Sequence, residues 1–202
     1  MPAPGEQRGP GVLGTDTEAQ LAARARAGDS AAFEQLVSRY ADRLFAVLLR
    51  LLGDRAEAQD VAQEVMLRAW RGISAFKGQS LLFTWLYRIA INEANRSLEK
   101  AARRGTSVVI DDNVLAVPAA VQDEPSRRVE ARELRQALGQ ALADLPPDYR
   151  IAIVLRDVEG LSTQEAAEIV GIGPAAFKSR LHQARLRVRS AIGDDALVDA
   201  GR

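Results

Sequence analysis

The sequence predicts an all-α protein made of two small helical domains that are joined by a flexible linker. Apolar residues recur at helical spacing through most of the 202 residues, whereas the alternation typical of strands is nearly absent. Capping residues precede several of these apolar runs, and glycines follow them. Between residues 104 and 125 the periodicity fails among prolines and acids, and this predicts the linker.

The first domain is predicted to span residues 15–103 and to contain four helices. Three of them begin at capping signals, which are Thr17 with Gln20, Asp29 or Ser30, and Asp54 with Glu57. We expect the second helix to end at Gly53 and the third near Gly72. A loop from Ile73 to Gln79 then leads to a fourth helix from about Ser80 to Arg103.

The second domain is predicted to span residues 126–193. Leucines at 134, 138, 142 and 145 form the apolar stripe of its first helix, which starts near Val129 and is broken by Pro146 and Pro147. A second buried helix follows, with Tyr149, Ile151, Ile153, Val154 and Leu155 as its apolar residues. Residues 1–14, with four glycines and three prolines, are predicted to be a disordered tail, and residues 194–202 an acidic tail.

The end of the second domain has the layout of a helix-turn-helix. Ser162 and Glu165 form a capping box, and Gly171 supplies the positive φ of a tight turn. Pro174 suits the first turn of the next helix. On that helix four apolar residues share one face and should pack inward, namely Phe177, Leu181, Ala184 and Val188. This layout places a helix in the major groove of DNA.

The other faces of that helix are basic. Lys178, His182, Arg185 and Arg189 form one stripe, and Arg180, Gln183 and Arg187 form another. A solvated basic helix is the plainer alternative, but the coincidence with a helix-turn-helix favours contact with DNA. Lys178, Ser179 and Arg180 lie nearest the helix start and are predicted to reach base edges. His182 is the single histidine, so a surface or DNA-facing role is expected for it rather than metal binding.

The composition limits the class of protein further. The net charge is zero, so affinity for nucleic acid must come from segregated charge. There is no cysteine and no long apolar run, which predicts a soluble cytoplasmic protein without membrane insertion. Acid pairs such as Asp111 with Asp112 lie in the linker without histidine or cysteine partners, so we expect no enzyme activity, no cofactor and no metal.

Three features of the first domain are not explained by core packing alone. Asp60, Gln63, Glu64 and Leu67 share one face of the third helix, although such a mixed face is also ordinary on a surface. Five of the ten aromatic residues lie within eighteen positions, at 70, 76, 83, 85 and 87. The fourth helix then becomes polar and basic. Aromatic rings beside basic residues suit single-stranded nucleic acid, and we assign Trp85 to the core but Phe83 and Tyr87 to this surface.

Together these motifs resemble the bacterial sigma factors. The resemblance rests on Asp60-x-x-Gln-Glu-x-x-x-Arg-Ala-Trp, Phe76-Lys-Gly, Trp85-Leu-Tyr-Arg-Ile-Ala-x-Asn92, Leu161-Ser-x-x-Glu-x-Ala-Glu-Ile-x-Gly and Lys178-Ser-Arg-Leu-His-x-Ala-Arg185. It covers roughly residues 17–192. The two-domain layout is similar to the extracytoplasmic-function group of the sigma-70 family.

The resemblance implies a division of roles. The face made by Asp60, Gln63, Glu64, Leu67 and Arg68 would dock on the β′ clamp helices of RNA polymerase. The promoter −10 element would be opened by Phe76, Lys77, Phe83, Tyr87, Arg88, Asn92, Asn95 and Arg96. The −35 duplex would be bound by Ser162, Lys178, Ser179, Arg180, His182, Gln183 and Arg185, while the second domain leans on the polymerase β flap. An anti-sigma partner is also expected, and the acidic stretch 111–124 would imitate nucleic acid in the RNA exit path.

Some positions depart from the family pattern. Gln183 stands where a basic residue is frequent, Phe177 where a smaller β-branched residue is usual, and residues 81–83 make the loop end unusually apolar. They leave open the −35 sequence and the base captured from the −10 element. Two other classes are weighed against the sigma factor: an autonomous helix-turn-helix regulator, and an adaptor that binds polymerase without contacting DNA.

Overall fold

Helices make up nearly all of the computed structural model in its described parts, which are residues 16–78, 81–104 and 125–193. The helices are α1 (Glu18–Arg26), α2 (Ser30–Leu52), α3 (Arg55–Gly72), α4 (Leu82–Arg103), α5 (Pro125–Ala143), α6 (Pro147–Ile153), α7 (Thr163–Val170) and α8 (Pro174–Ile192). No strand is present in these ranges. The all-α prediction is therefore confirmed. No helix in the same ranges is long and apolar enough to cross a membrane.

The predicted helix boundaries agree closely with the structure because local capping residues set them. The side chain of Thr17 accepts from the Gln20 N–H, and Asp29 rather than Ser30 caps α2. Asp54 caps α3 by accepting from the Glu57 N–H at 2.7 Å. Gly53, with φ at 74°, ends α2 in the left-handed region that glycine favours.

Two boundary predictions were wrong. Residues Ile73–Ala75, predicted as loop, form a short 3₁₀ turn that continues from α3, and such turns are frequent at helix ends. Helix α5 begins at Pro125, earlier than the predicted start near Val129, because proline is well suited to the first helical position.

Helices α1 to α4 enclose one apolar core. Leu36, Leu48 and Leu51 of α2 are fully buried against Val65 of α3 and Leu86 of α4. These side chains recur at helical spacing, as an amphipathic helix requires. Leu67 of α3 points the other way and is 50% exposed. The core thus fixes which face of α3 remains available for a partner.

Helices α5 to α8 form a second core around Phe177, which is fully buried. A π-helical turn at Val154–Val158 follows α6 and is closed by the Glu159 N–H donating to the Val154 carbonyl at 2.9 Å. Tyr149, predicted as a buried residue of α6, is only partly buried. Its ring instead lies under the guanidinium of Arg187, 4.8 Å from the ring centre.

The two cores pack against each other through α4, which contacts α6 and α7. Glu159, just after the π-helical turn, accepts from Arg43 at 3.1 Å and from Arg50 at 2.6 Å, and its side chain is only 5% exposed. Arg150 of α6 donates to the carbonyl of Leu51 at 2.9 Å. Polar groups of the two domains therefore contribute to the contact between them.

Several sequence predictions concern residues outside the described ranges. These are the terminal tails, the linker, the acidic stretch 111–124, the loop residue Gln79 and the predicted helix start at Ser80.

Candidate nucleic-acid and polymerase interfaces

The predicted docking face lies on the solvent side of α3. Asp60, Gln63, Leu67 and Arg68 are exposed, and Glu64 is half-buried. Ala58, Val65 and Ala69 hold the opposite face of the helix in the core. The five predicted residues therefore form one continuous surface.

An ion-pair chain connects this docking face to helix α4. Arg68 pairs with Glu64 of its own helix at 2.6 Å and with Glu93 of α4 at 3.1 Å. Glu93, whose side chain is 11% exposed, also pairs with Arg96 at 2.8 Å. Glu93 cannot be recognised from the sequence as a partner of Arg68, because the two residues lie in different helices and no spacing rule connects them.

An open groove of about 630 Å³ runs between α3 and α4 beside this chain. Its walls include Trp85, Asn92, Arg96 and Arg71, with Gly72 at its edge. A Cβ at Gly72 would lie 3.3 Å from the Trp85 ring, so the glycine lets the indole lie close to α3. An aromatic ring, an amide and cations in one groove are the groups that bind an unstacked base and its phosphates.

The structure places the predicted aromatic side chains in different surroundings. Trp85 packs against the core as predicted and also lines the groove, whereas Tyr87, assigned to nucleic acid, is fully buried. Residues two positions apart point to nearly opposite sides of a helix, so Tyr87 turns toward α2. Tyr87 and Phe83 stack there at 4.1 Å, and the Arg43 guanidinium lies 4.9 Å from the Phe83 ring centre.

The buried Tyr87 hydroxyl has no hydrogen-bond partner among the described residues. Burial raises the pKa of this phenol well above its ordinary value, and the nearby Glu159 carboxylate adds to that rise. In this conformation Tyr87 is closed to a DNA base, and its contact with the −10 element stays a prediction. Phe76 is also buried, with 9% exposure, and packs on Trp85 at 5.3 Å.

The other predicted −10 residues are distributed around α4 and the loop before it. Lys77, Arg88, Asn92 and Arg96 are exposed, and Asn95 is partly exposed. Arg88 faces the second domain, where its guanidinium lies 3.8 Å from Glu168 of α7. Asn95 donates to Glu99 on its own helix at 2.9 Å. Only Asn92 and Arg96 of this set therefore line the groove.

Helix α8 has the buried face that the sequence predicts, and its opposite face is open. Phe177, Leu181, Ala184 and Val188 are all buried. Lys178, Ser179, His182, Gln183 and Arg185 are exposed, and Arg180 is partly buried. The turn before α8 uses Gly171 at φ 79°, which supports the predicted helix-turn-helix.

Two of the predicted −35 arginines are already paired with acids. Arg185 donates twice to Asp157 of the π-helical turn, at 2.9 and 2.5 Å. This hydrogen-bonded pair raises the pKa of Arg185. Arg180 lies 3.3 Å from Asp148 of α6. These pairs fix both guanidinium groups along the flanks of α8.

Ser162 acts as the cap of α7. Its hydroxyl accepts from the Glu165 N–H at 3.2 Å, and its own N–H donates to the Glu165 carboxylate at 2.8 Å. These hydrogen bonds lower the pKa of Glu165 below its ordinary value. This cap fixes the start of α7, the first helix of the helix-turn-helix, and Ser162 is exposed there.

Comparison with known protein families agrees with this division of the chain. The family described as Sigma-70 region 2 matches residues 36–104, and the family described as Sigma-70, region 4 matches residues 135–188. The first match contains α3, α4 and the groove, and the second contains the helix-turn-helix. The fold and these matches define an RNA polymerase sigma factor.

Individual relatives give the group within that family. The chain is 35% identical over 190 residues to the RNA polymerase sigma-H factor of Pseudomonas aeruginosa, which covers 90% of this chain and 96% of the relative. It is 34% identical over 174 residues to the ECF RNA polymerase sigma-E factor of Escherichia coli K12, covering 84% and 91%. The chain therefore belongs to the extracytoplasmic-function group of the sigma-70 family.

Two solved structures with a similar fold contain a second protein bound to the matching chain. CnrH bound to the cytosolic domain of CnrY matches with a TM-score of 0.59 at 26% identity, covering 93% of this chain and all of that one. The sigma factor RpoE of Bartonella quintana, bound to the anti-sigma factor NepR, matches with a TM-score of 0.58 at 27% identity, covering 79% and 96%. The autonomous-regulator alternative is not favoured by these comparisons.

Proposed function

We propose that this sigma factor divides promoter recognition between its two helical domains, at residues 15–103 and 126–193, while it is bound to core RNA polymerase. The observation that carries the proposal is the placement of three separate surfaces: the α3 docking face, the α3–α4 groove and the open face of α8. Each surface has the chemistry of a different partner. None of them contains a residue set suited to catalysis, so the protein acts by binding.

The α3 face binds the β′ clamp helices of the polymerase in this proposal. Asp60, Gln63, Glu64 and Arg68 supply the polar contacts around Leu67, which supplies the apolar one. An apolar residue surrounded by polar ones matches the general composition of protein interfaces, whose centre is more apolar than their rim.

The groove between α3 and α4 holds an unpaired base of the −10 element. Asn92 offers both a donor and an acceptor to a base edge, and Arg96 faces the phosphates. Trp85 offers the stacking surface in place of Tyr87. Phe83, Tyr87 and Arg88 contribute only if the two domains separate, because the second domain lies against that side of α4.

The open face of α8 binds the −35 duplex in its major groove. Lys178, Ser179, His182 and Gln183 are free to reach the DNA, and the paired Arg180 and Arg185 stand at the edges of the same face. The second domain also contacts the polymerase β flap. We further propose a cytoplasmic protein that is restrained by an anti-sigma partner, since the Bartonella RpoE is found in complex with the anti-sigma factor NepR.

The experiment that tests this function is transcription in vitro with purified core polymerase on a library of promoters, with sequencing of the start sites. Start sites downstream of a shared pair of −35 and −10 sequences are expected. Core polymerase alone, which lacks promoter selectivity, is the matched control. Failure of the purified chain to co-elute with core polymerase would contradict the proposal.

A polymerase-binding adaptor without DNA contact is the second candidate. Arg180 and Arg185 are already paired with acids of this protein. This pairing favours the adaptor, because paired guanidinium groups are less available to DNA. The double variant Arg180→Ala with Arg185→Ala separates the two functions. Lost promoter binding with retained binding to core polymerase supports the sigma factor, and unchanged binding to promoter DNA supports an adaptor.

A further inference from the structure

The exposed part of α8 is divided into a central ridge and two flanks. Ser179 and Leu186 lie opposite the buried face, His182 and Gln183 lie to either side of them, and all four are exposed. None of these four ridge residues is a lysine or arginine. Lys178, Arg185 and Arg189 lie on the flank beyond His182, and Arg180 and Arg187 on the flank beyond Gln183. The cations are therefore displaced from the line that points straight away from the core.

This arrangement matches the cross-section of a major groove. A helix in the groove has a phosphate backbone on each side and base edges beneath its outermost line. The flanking cations suit the two backbones, and the neutral ridge suits the bases. On this geometry the sequence preference of the domain is set by ridge residues rather than by its arginines.

The flanking arginines are also less free to read bases. Arg185 gives its Nε and Nη2 hydrogens to Asp157, and Arg180 lies beside Asp148. The side-chain amide of Gln183, by contrast, makes no hydrogen bond to another residue in the described parts of the chain. Its donor and its acceptor are both available at the edge of the ridge.

We propose that Gln183 is a specificity-determining residue that selects adenine at one position of the −35 duplex. A primary amide presents a donor and an acceptor side by side, and adenine presents the complementary N7 acceptor and N6 donor in the major groove. Guanine presents two acceptors there, so the amide oxygen would face another acceptor. The inference rests on the proposed binding of α8 to duplex DNA.

The test uses holoenzyme reconstituted from the full chain and core polymerase, with promoters randomised through the −35 element. Wild-type holoenzyme should prefer adenine at one position by about tenfold, the discrimination typical of a bidentate contact. Gln183→Ala should remove that preference and leave the other positions selective. Gln183→Glu, which lacks the amide donor, should no longer favour adenine. Gln35→Ala, an exposed glutamine of α2, is the matched control.

A second measurement tests whether Gln183 contacts N7 of the selected adenine. Replacing the selected adenine by 7-deazaadenine removes N7 and should weaken wild-type binding several-fold, with little further effect on Gln183→Ala. Uniform weakening at every position in Gln183→Ala, or an unchanged adenine preference, would overturn the inference and leave the sigma-factor function standing. Absence of any −35 preference in wild-type holoenzyme would overturn both this inference and the proposed binding of α8 to the −35 duplex.

Discussion

At the scale of single residues, the buried Arg150 side chain joins the end of α5 to the end of α2. Its buried guanidinium donates to four carbonyl groups, on Leu142, Ala143, Leu145 and Leu51. Burial lowers its pKa to about 10, so it stays charged at neutral pH. The carbonyls lie at or just beyond the ends of α5 and α2, where the helix dipole favours a cation.

Arg150→Met is expected to lower the free energy of unfolding by about 2–3 kcal/mol, because it leaves buried carbonyls without donors. Chemical denaturation followed by circular dichroism measures this. Arg150→Lys should recover little, since one ammonium cannot reach four separated acceptors. Arg26→Met, at an exposed arginine of α1, is the control. Equal stability of Arg150→Met and Arg26→Met would contradict the role given to Arg150.

The capping box of α7 gives a pH dependence. The pKa of Glu165 is lowered in the folded protein, so its contribution to stability is full above the ordinary glutamate pKa. That contribution is lost as the pH falls through the lowered pKa. Glu165→Gln should remove this part of the acid sensitivity. Ser162→Ala should cost about 1 kcal/mol at neutral pH. Both effects are measurable as unfolding free energies across the acidic range, and parallel curves for wild type and Glu165→Gln would count against the cap.

At the scale of elements, each surface depends on a helix held by its opposite face. Helix α8 can present its ridge because Phe177 and its neighbours fill the second core, and α3 can present Leu67 because Val65 and Ala69 are buried. The capping residues set where these helices begin. Their apolar periodicity sets which side is left for a partner.

Phe177→Ala should destabilise the second domain by about 3–5 kcal/mol, since a fully buried ring is replaced by a cavity. Thermal and chemical unfolding measure the loss, and −35 binding should fall with the folded fraction. Ser190→Ala, at an exposed position of the same helix, is expected to leave stability unchanged. A loss below about 1 kcal/mol would show that the core collapses around the missing ring.

The double variant Asp60→Ala with Glu64→Ala should weaken binding to core polymerase about tenfold while the helical content stays unchanged, because both side chains lie outside the core. Fluorescence anisotropy with labelled protein and core polymerase gives the affinity. Glu34→Ala with Asp42→Ala removes two exposed acids of α2 as a charge-matched control. If the two double variants bind core polymerase equally well, α3 is not the docking face.

At the scale of the whole molecule, the contact between the domains controls what the first domain exposes. Glu159 is held between Arg43 and Arg50, and α7 lies against α4. Tyr87 is enclosed there with an unpaired hydroxyl. The α3–α4 groove is lined by the other side of α4 and stays open in the same arrangement.

Glu159→Gln should weaken this contact by about 1–2 kcal/mol, less than for a fully buried pair because Arg43 is half-exposed. The chain contains no cysteine, so Ser38→Cys and Ser190→Cys allow a fluorophore on each domain. The interdomain distance should become longer or more broadly distributed in Glu159→Gln and stay unchanged in Glu34→Gln. Identical distance distributions in all three proteins would contradict a role for Glu159 in holding the domains together.

The sequence by itself determined the helices and the buried face of α8. Capping boxes, glycines at positive φ and apolar periodicity act within a few residues of one another, so they can be recognised in the chain. The sigma-factor resemblance also came from local motifs. The positions of Thr17, Gly53, Gly171 and Phe177 were predictable for this reason.

Only the tertiary structure decided how side chains from different helices meet. The pairs Arg68 with Glu93, Arg185 with Asp157, and Glu159 with Arg43 join residues that no helical spacing relates. The different surroundings of Trp85 and Tyr87 have the same origin. Both are aromatic residues of one amphipathic helix, and which ring is enclosed depends on where α2, α3 and the second domain lie around it.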